Sequence, residues 1–223
     1  MKVKLISYSQ LPPGVESDIV DNDLLQLVAY CPRVSNPSNQ NNPDTSEKLV
    51  KYLMKHKHWS PLEMVSVCLE VETTRDIARQ FLRHRSFSFQ EFSQRYADPV
   101  KDLNFELRDA RLQDPKNRQN SIPLDMSDEY EGGLQDRWYQ MQQRVIDEAL
   151  MAYRWAIDNG IAKEQARAVL PEGNTMSRLY ANGTLRSWIH YMDLRGANGT
   201  QSEHIEIAKA CAKVIYEIFP LEV

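Results

Sequence analysis

Apolar side chains along the chain recur at the two spacings that distinguish strands from helices. Alternation over Met1–Tyr8 and over Val65–Glu72 predicts two strands, the second with four apolar positions on one side. Between Thr74 and Leu82 the spacing becomes that of a short helix, and alternation returns over Ser86–Glu91. We therefore expect a strand, a helix and an extended segment in direct succession. The apolar side of that helix would consist of Ile77, Ala78, Phe81 and Leu82.

The helical spacing also covers much of the rest of the chain. Thr45–Glu47 has the residues of a helix start, and Thr200–Glu203 reads as a capping box that begins the last helix. A short strand over Met176–Tyr180 would be turned into the following helix by Asn182-Gly183. Short strands beside several helices predict an α+β fold, with mainly helices packed on a small, mostly antiparallel sheet. The further predicted helices are Asp23–Tyr30, Thr45–His56, Asp128–Asn159, Ala162–Leu170, Thr184–Leu194 and Thr200–Phe219.

Two long segments differ from this pattern. From Asp98 to Ser127 the residues are polar with recurring prolines, which predicts a long loop. Asp128–Asn159 is the longest helical pattern, with Gly132-Gly133 as a candidate interruption. We expect its apolar stripe to form core or a subunit interface rather than a cofactor site. The stripe consists of Leu134, Trp138, Met141, Val145, Ala149, Ala152 and Ala156.

Composition and charge narrow the class of protein. At 223 residues, with no internal repeat or linker, the chain is expected to be a single domain spanning 1–223. A net charge of −4 argues against general nucleic-acid binding, which usually needs a basic excess. The three cysteines are odd in number and far apart, which disfavours a disulfide framework or a zinc site. With no apolar run of about 20 residues and no secretory signal at Met1–Leu5, we expect a cytoplasmic protein.

The densest charge lies where the helix ending at Leu82 gives way to the extended segment. Guanidinium forks, hydroxyls and free backbone N–H groups in such a place suit a phosphate. The alternative is a solvated helix end whose cations complement the helix dipole. Interleaved aromatic side chains favour the phosphate site, because their burial draws the charges into a partly dry environment where each needs a partner. The cluster comprises Arg83, His84, Arg85, Glu91, Ser93 and Arg95.

The cluster resembles the signature of flavin-dependent thymidylate synthases. Arg-His-Arg at 83–85 is followed after seven residues by Ser93, with Gln80 three before the first arginine and Arg95-Tyr96 two after the serine. Such a long pattern of unusual residue types is specific, whereas Arg-His-Arg alone would carry little weight. The resemblance runs in blocks, from about residue 58 to 97 and from 162 to the last helix.

Two shorter motifs are also similar to that family. His58-x-Ser60-Pro61-x-Glu63 precedes the main motif at a matching distance, although His56 and His58, two apart in a loop without a cysteine, are by themselves weak evidence for a metal site. Ala166-Arg167-x-x-Leu170-Pro171 follows the long helix, and Arg167 among apolar neighbours should have an anionic partner.

The resemblance implies an enzyme that methylates dUMP to dTMP reductively. FAD would carry the hydride, 5,10-methylenetetrahydrofolate would supply the carbon, and NADPH would be the reductant. It also implies a homotetramer whose active sites are shared between subunits, with no nucleic acid, membrane or metal involved.

The resemblance also assigns residues. Arg195, His58 and Ser93 would be catalytic, with His58 over the flavin face and Arg195 against the pyrimidine ring. His190 stands where the family often has Asn, so its flavin contact departs from the pattern. The residues implied for dUMP are Gln80, Arg83, Glu91, Phe92, Ser93, Gln94, Arg95, Arg167 and Arg195. Those implied for FAD are His58, Ser60, Arg83, His84, Arg85, Glu91, Thr184, Arg186 and His190.

The residues limit the chemistry in their own right. None of the three cysteines has a neighbour that would activate it, and Ser93 without a paired base is a poor nucleophile, so we assign Ser93 to phosphate or ring binding. Arg195, always charged, can instead stabilise negative charge that develops on the uracil. The sequence has no Gly-x-Gly-x-x-Gly, so a Rossmann-type nucleotide site is not supported.

Two other classes of protein remain alternatives. A non-catalytic nucleotide or RNA-binding protein could use the arginines and phenylalanines of 81–95 as a stacking platform, although the acidic balance argues against it. An inert assembly subunit could pair the same arginines across an interface. It would bind neither flavin nor nucleotide.

Overall fold

A four-stranded antiparallel sheet lies at the centre of the fold. The computed structural model describes residues 1–11, 23–40 and 42–220. The strands are β1 (Lys2–Tyr8), β2 (Ser66–Thr74), β3 (Ser88–Glu91) and β6 (Met176–Thr184), in the order β1-β2-β6-β3. All three pairings are antiparallel. The predicted α+β class with a small antiparallel sheet is therefore confirmed.

A second, two-stranded sheet and eight helices complete the described part of the chain. Short 3-10 turns extend several helices; one over Ser60–Glu63 and one over Arg167–Val169 carry predicted site residues. The small sheet pairs β4 (Arg111–Gln113) with β5 (Ser121–Pro123). The helices are α1 (Leu24–Tyr30), α2 (Ser46–Lys55), α3 (Arg75–Phe81), α4 (Pro99–Asp102), α5 (Glu129–Asp158), α6 (Lys163–Ala166), α7 (Leu185–Gly196) and α8 (Ser202–Tyr216).

The main core is formed by one face of the sheet and the helices packed on it. Alternation along β2 buries Val67, Leu69 and Val71 completely. Trp188 of α7 is also fully buried. Its indole N–H donates to the Val67 carbonyl over 3.0 Å, so the polar end of this large side chain is satisfied inside the core.

β6 continues through the pair of residues that was expected to end it. Asn182 and Gly183 remain in the ladder with β2, and α7 begins immediately afterwards, with Thr184 as its N-cap. Phe87 explains the glycine. A Cβ atom at position 183 would lie 2.5 Å from Phe87 Cδ1, so the absence of a side chain lets the ring pack directly on the strand.

The long helix α5 is continuous, and its buried face differs from the predicted one. Asp128 caps it, and Gly132-Gly133 do not interrupt it. Ala149 and Ala156 of the predicted stripe are buried, but Trp138, Met141 and Val145 are 45%, 51% and 55% exposed and so do not belong to this chain's core, which leaves the predicted alternative of a subunit interface for them. The face turned inward also carries Gln135, Gln142, Ile146 and Tyr153.

Two buried glutamines explain why α5 turns this partly polar face, rather than its whole apolar stripe, toward the rest of the protein. Gln142 accepts from the Arg108 N–H (2.9 Å) and donates to the Arg108 carbonyl (2.8 Å). Gln135 accepts from the Ala110 N–H over 2.8 Å. A segment without secondary structure of its own thus has its backbone groups satisfied by amide side chains. The apolar pattern alone could not indicate this.

The predicted loop over 98–127 contains regular structure that the sequence did not indicate. α4 and the β4–β5 hairpin both lie within it. The hairpin was missed because its strands are mostly exposed and only three residues long, too short for an alternating pattern to stand out. Its turn is held by Asp114, whose carboxylate accepts from the N–H groups of Lys116 and Asn117.

The last helix begins without the predicted capping box. Gln201, not Thr200, is the N-cap of α8, and its side chain makes no capping bond. Glu203 instead forms an ion pair with Arg111 of the hairpin, and is only 5% exposed. None of the helices that the structure describes has the length and hydrophobicity to cross a bilayer.

Replacing Gly183 with alanine should destabilise the protein by about 1–3 kcal/mol, because the new methyl group would overlap the buried ring of Phe87, which packs against Phe81 and Trp188. Urea denaturation checks this. Gly133→Ala is the matched control: nothing lies within 4 Å of its Cβ, so it should raise the stability by about 0.5–1 kcal/mol. Equal effects of the two substitutions would show that Phe87 does not require the glycine.

Candidate functional site

The Arg-His-Arg segment follows the end of α3, and its three side chains have different surroundings. Arg83 and Arg85 are exposed and form no ion pair within the described residues. His84 is half-buried, and its Nε2 accepts a hydrogen bond from Nε of Arg195, 2.9 Å away. Arg195 lies in the last turn of α7. The structure therefore brings together two residues that are 111 positions apart in the sequence.

His84 is held in its neutral form. Burial, and then the positive charges of Arg195 and Arg83, lower its pKa to about 4. A neutral imidazole can accept through Nε2, which an imidazolium cannot. The bond therefore fixes one edge of the Arg195 guanidinium without neutralising its charge.

A line of polar side chains lies behind this pair. Gln80 of α3 donates a hydrogen bond to the Gln201 side chain over 2.9 Å, and its amide oxygen lies 3.3 Å from Nδ1 of His204. His204 Nε2 lies 3.1 Å from the Tyr191 hydroxyl. The Tyr191 ring packs edge-on against His84, with centroids 5.0 Å apart. The structure thus places Gln80, His84 and Arg195 in one connected group.

A second group of predicted residues lies at the end of β3. Glu91 accepts from Ser177 over 2.8 Å and pairs with Arg75 at 3.6 Å, both through Oε1. This leaves Oε2 of Glu91 without a hydrogen bond to any described residue. Phe92 extends the strand by donating its N–H to the Arg178 carbonyl.

Ser93, Gln94 and Arg95 follow in a turn that rests on α6. Ser93 Oγ accepts weakly from the Arg95 N–H at 3.4 Å, and no described base pairs with it. Gln94 is 3% exposed, yet its Nε2 has no partner in the described structure. Arg95 reaches Glu164 of α6 over 2.9 Å, and Lys163 donates to the Tyr96 carbonyl. This arrangement places the Ser93 turn beside the segment that leads to Arg167.

Arg167 has no anionic partner among the described residues of this chain. It lies half-buried in the 3-10 turn after α6, and its side chain makes no hydrogen bond or ion pair with any residue that the structure describes. A guanidinium in such a position needs a counter-charge from elsewhere.

A third group lies around the start of α7. Thr184 caps the helix, and Arg186 pairs with Glu63 of the 3-10 turn over Ser60–Glu63. His190 is exposed and meets Trp59 edge-on, with ring centroids 4.7 Å apart. His58, also exposed, packs near the rings of Tyr52 and His56.

The predicted site residues therefore form three groups rather than one pocket. Within the described residues, no hydrogen bond, ion pair or ring contact joins these groups to one another. From Arg186 to Arg195 along α7 the distance is roughly 14 Å at 1.5 Å per residue. A groove of about 880 Å³ between the hairpin and α8 is lined by Gln201 but by none of the predicted site residues.

The thiols and the other potential metal ligands are the remaining reactive groups of the described chain. Burial raises the pKa of the Cys31, Cys68 and Cys211 thiols, so they remain protonated and are weak nucleophiles at neutral pH. Within the described ranges, no cluster of three or more His, Cys, Asp or Glu side chains could hold a metal.

Tyr191 and His204 are the polar residues that sequence reasoning missed. Both lie inside helices that the sequence predicted, and His204 is three residues before the core residue Ile207. A histidine at a core position of an amphipathic helix was the available signal, because a buried imidazole needs polar partners.

Comparisons with known proteins show similarity of sequence over nearly the whole chain. A family model described as "Thymidylate synthase complementing protein" matches residues 19–221. A probable flavin-dependent thymidylate synthase of Paramecium bursaria Chlorella virus 1 is 46% identical over 220 residues, covering 99% of this chain and 96% of that protein. The flavin-dependent thymidylate synthase of Synechocystis sp. is 46% identical over 223 residues, with the same coverage of 99% and 96%.

The solved structures include one with the same fold. The crystal structure of the UMP/dUMP methylase PolB from Streptomyces cacaoi, bound with 5-Br dUMP, has a TM-score of 0.74 and 26% identity. The similarity covers 97% of this chain and 90% of PolB.

We expect the protein to lose stability as the pH falls from about 6.5 to about 4. Folding lowers the pKa of His84 and of His204 to about 4, in each case chiefly by burial, whereas an unfolded imidazole titrates near 6.5. Between these pH values the unfolded chain binds protons that the folded chain does not, so acid favours unfolding. Above about pH 6.5 these two histidines do not change the free energy of unfolding with pH. Urea denaturation across pH 7.5 to 5 measures the effect.

Two variants isolate the contribution of His204. His204→Leu should reduce the pH slope, because one of the two shifted groups is removed. Ile207→Val, which alters the same helix at a buried residue without a titratable group, should leave the slope unchanged. Parallel curves for wild type and His204→Leu would contradict the prediction.

Proposed function

The chain belongs to the family of flavin-dependent thymidylate synthases, and we propose that it methylates dUMP to dTMP with FAD as its cofactor. The family model and the two relatives of that name extend over nearly the whole chain. PolB, which has this fold, is a UMP/dUMP methylase. These findings support the proposed substrate and the flavin.

The finer part of the proposal concerns the other reactants. 5,10-Methylenetetrahydrofolate supplies the carbon and NADPH the reducing equivalents, so that dUMP, methylenetetrahydrofolate, NADPH and a proton give dTMP, tetrahydrofolate and NADP⁺. The bound flavin supplies the hydride chemistry, and the protein supplies placement and electric field.

The observation that carries the proposal is the fixed charge of Arg195. One edge of its guanidinium is tied to neutral His84 through Nε, and its other N–H groups have no partner within the described residues. Arg195 can therefore direct two or more donors and a permanent charge at the pyrimidine. A preorganised cation stabilises negative charge that develops on the uracil when its C5 carbon becomes nucleophilic.

Activation by charge fits the state of the alternative nucleophiles. The three thiols have raised pKa values, and Cys211 is fully buried. Ser93 has no paired base among the residues described. We therefore assign Ser93 to binding dUMP rather than to covalent attack.

The dUMP site is proposed to form between copies of the chain. Arg83, Arg85 and Arg167 lack partners within the described chain, and their charge suits the phosphate and the nucleotide. The three separate groups of site residues would be joined only when subunits meet, in a homotetramer. The exposed apolar side of α5 supports such an assembly; it carries Tyr130, Trp138, Met141, Val145, Met151 and Trp155.

FAD is proposed to run along α7. Thr184, Arg186 and His190 lie near the start of this helix beside His58 and Ser60, and His84 lies beside its last turn. A separation of roughly 14 Å suits an elongated dinucleotide better than a mononucleotide. A cytoplasmic location is also part of the proposal, and three unpaired thiols support a reducing compartment.

The purified protein should be yellow, release FAD on denaturation and convert dUMP to dTMP. Arg195→Ala should retain the flavin and lower kcat about 10²–10³-fold, because a charge that stabilises the reacting ring is lost. Absorbance near the flavin bands and a dTMP assay measure the two properties separately.

Arg79→Ala is the matched control for this variant. Arg79 is an exposed arginine paired with Glu172, and its loss should change neither property. Unchanged turnover in Arg195→Ala would refute the role given to Arg195. Folded protein that stays colourless and ignores added flavin and dUMP would refute the function as a whole.

Ser93→Ala should weaken activity without abolishing it. The loss of one hydroxyl contact should raise the dUMP KM by about five- to tenfold, while kcat changes less. Steady-state kinetics with varied dUMP distinguishes the two parameters. Complete loss of turnover, together with a trapped serine adduct in the wild type, would instead make Ser93 a nucleophile.

A further inference from the structure

His204 is a fully buried histidine that has no role in the proposed chemistry so far. Its relative exposure is 0%, and it lies on α8 between the sheet and the ends of α3 and α7. Both ring nitrogens have partners: Nδ1 is 3.3 Å from Gln80 Oε1, and Nε2 is 3.1 Å from the Tyr191 hydroxyl. A buried imidazole with two specific partners defines their relative positions.

One assignment of donors and acceptors satisfies the hydrogen bonds that His204 and its partners make. Gln80 Nε2 donates to Gln201 Oε1 at 2.9 Å, so the amide oxygen of Gln80 faces His204. His204 must then carry its proton on Nδ1 to donate to that oxygen, and Nε2 is left to accept from Tyr191. Burial keeps both groups uncharged, since it lowers the pKa of His204 to about 4 and raises the pKa of Tyr191.

One branch of this arrangement controls Gln80. With its oxygen turned inward, the half-buried amide of Gln80 directs its N–H side outward, and the hydrogen not used by Gln201 is available to a ligand. The carbonyl and phosphate oxygens of dUMP are acceptors, so they require a donor at this position. Without His204 the amide can rotate and present its oxygen instead, which would repel them.

The other branch reaches Arg195. The Tyr191 ring stacks on Phe81 at 4.5 Å and meets the His84 ring edge-on at 5.0 Å. Tyr191 therefore lies between His204 and the imidazole that accepts from Arg195. Fixing the Tyr191 hydroxyl limits the positions that the rings of Tyr191 and His84 can take.

We propose that His204 is a positioning residue of the nucleotide site, which holds the Gln80 amide with its N–H side toward dUMP and, through Tyr191, holds the His84–Arg195 pair. The inference rests on the proposed function, because it takes dUMP as the ligand of Gln80 and Arg195. It gives a role in substrate binding to a side chain too deeply buried to touch the substrate.

Three variants separate the two branches. His204→Leu removes both hydrogen bonds and should raise the dUMP KM about tenfold, with a smaller fall in kcat. His204→Asn places an amide N–H near the former Nδ1 position, so it should recover most of the lost KM. Tyr191→Phe keeps the bond to Gln80, so its KM should stay within about twofold of wild type while kcat falls about fivefold.

Ile207→Val is the matched control. Ile207 is fully buried one turn further along α8 and makes no polar contact, so this variant should keep wild-type KM and kcat. Urea denaturation of all four variants distinguishes lost stability from lost positioning. Wild-type kinetics in His204→Leu, or His204→Asn no better than His204→Leu, would overturn the proposal. An equal change in Ile207→Val would also overturn it, since packing alone would then suffice.

The outcome can be distinguished from a failure of the proposed function. If the wild type binds dUMP without turning it over, the proposed activity fails. The dUMP affinities of the same variants, measured by calorimetry, then test the role of His204. There His204→Asn should bind nearly as tightly as wild type and His204→Leu about tenfold more weakly. If the wild type does not bind dUMP at all, both proposals are overturned.

Discussion

The antiparallel pairing of β2 with β6 determines where the functional groups meet. The register joins Ser66 to Thr184 and Thr74 to Met176, and each strand leads directly into a helix at its last residue. α3 and α7 therefore start at opposite ends of the sheet and run toward each other across one face. The last residue of α3, Phe81, stacks on Tyr191 in the middle of α7. The contact between His84 and Arg195 follows from that geometry.

The positive charge of Arg195 is preserved because burial keeps its hydrogen-bond partner His84 neutral, whereas an ion pair would offset that charge. Arg195 bonds to an imidazole that cannot become positive near neutral pH, so its own charge remains available. A carboxylate in place of His84 would satisfy the guanidinium and largely cancel its field. The acidic chain, with a net charge of −4, thus keeps local positive charge where an anionic ligand is expected. A neutral acceptor orients a cation without neutralising it.

Local patterns predicted the elements better than the contacts between them. Alternation located β1 and β2, and the motif spacing identified the family, because both signals lie within a few neighbouring residues. The strand through Gly183 was misjudged because the reason for the glycine is Phe87, almost a hundred residues earlier. The rotation of α5 and the loss of the α8 capping box have similar causes, since Gln142 and Glu203 bind groups of the 98–127 segment. The role proposed for each site residue remains a prediction from the family resemblance.

The glutamines of α5 have a consequence for how this protein can change over evolutionary time. They hold the 108–110 segment through its main-chain N–H and C=O groups, which every amino acid except proline provides in full. Drift in the identity of residues 108 and 110 would leave that attachment intact. Substitution of Gln135 or Gln142 would release it. Residue 110 is therefore freer to vary than residue 108, because the Arg108 side chain also donates to Thr74 and pairs with Asp76.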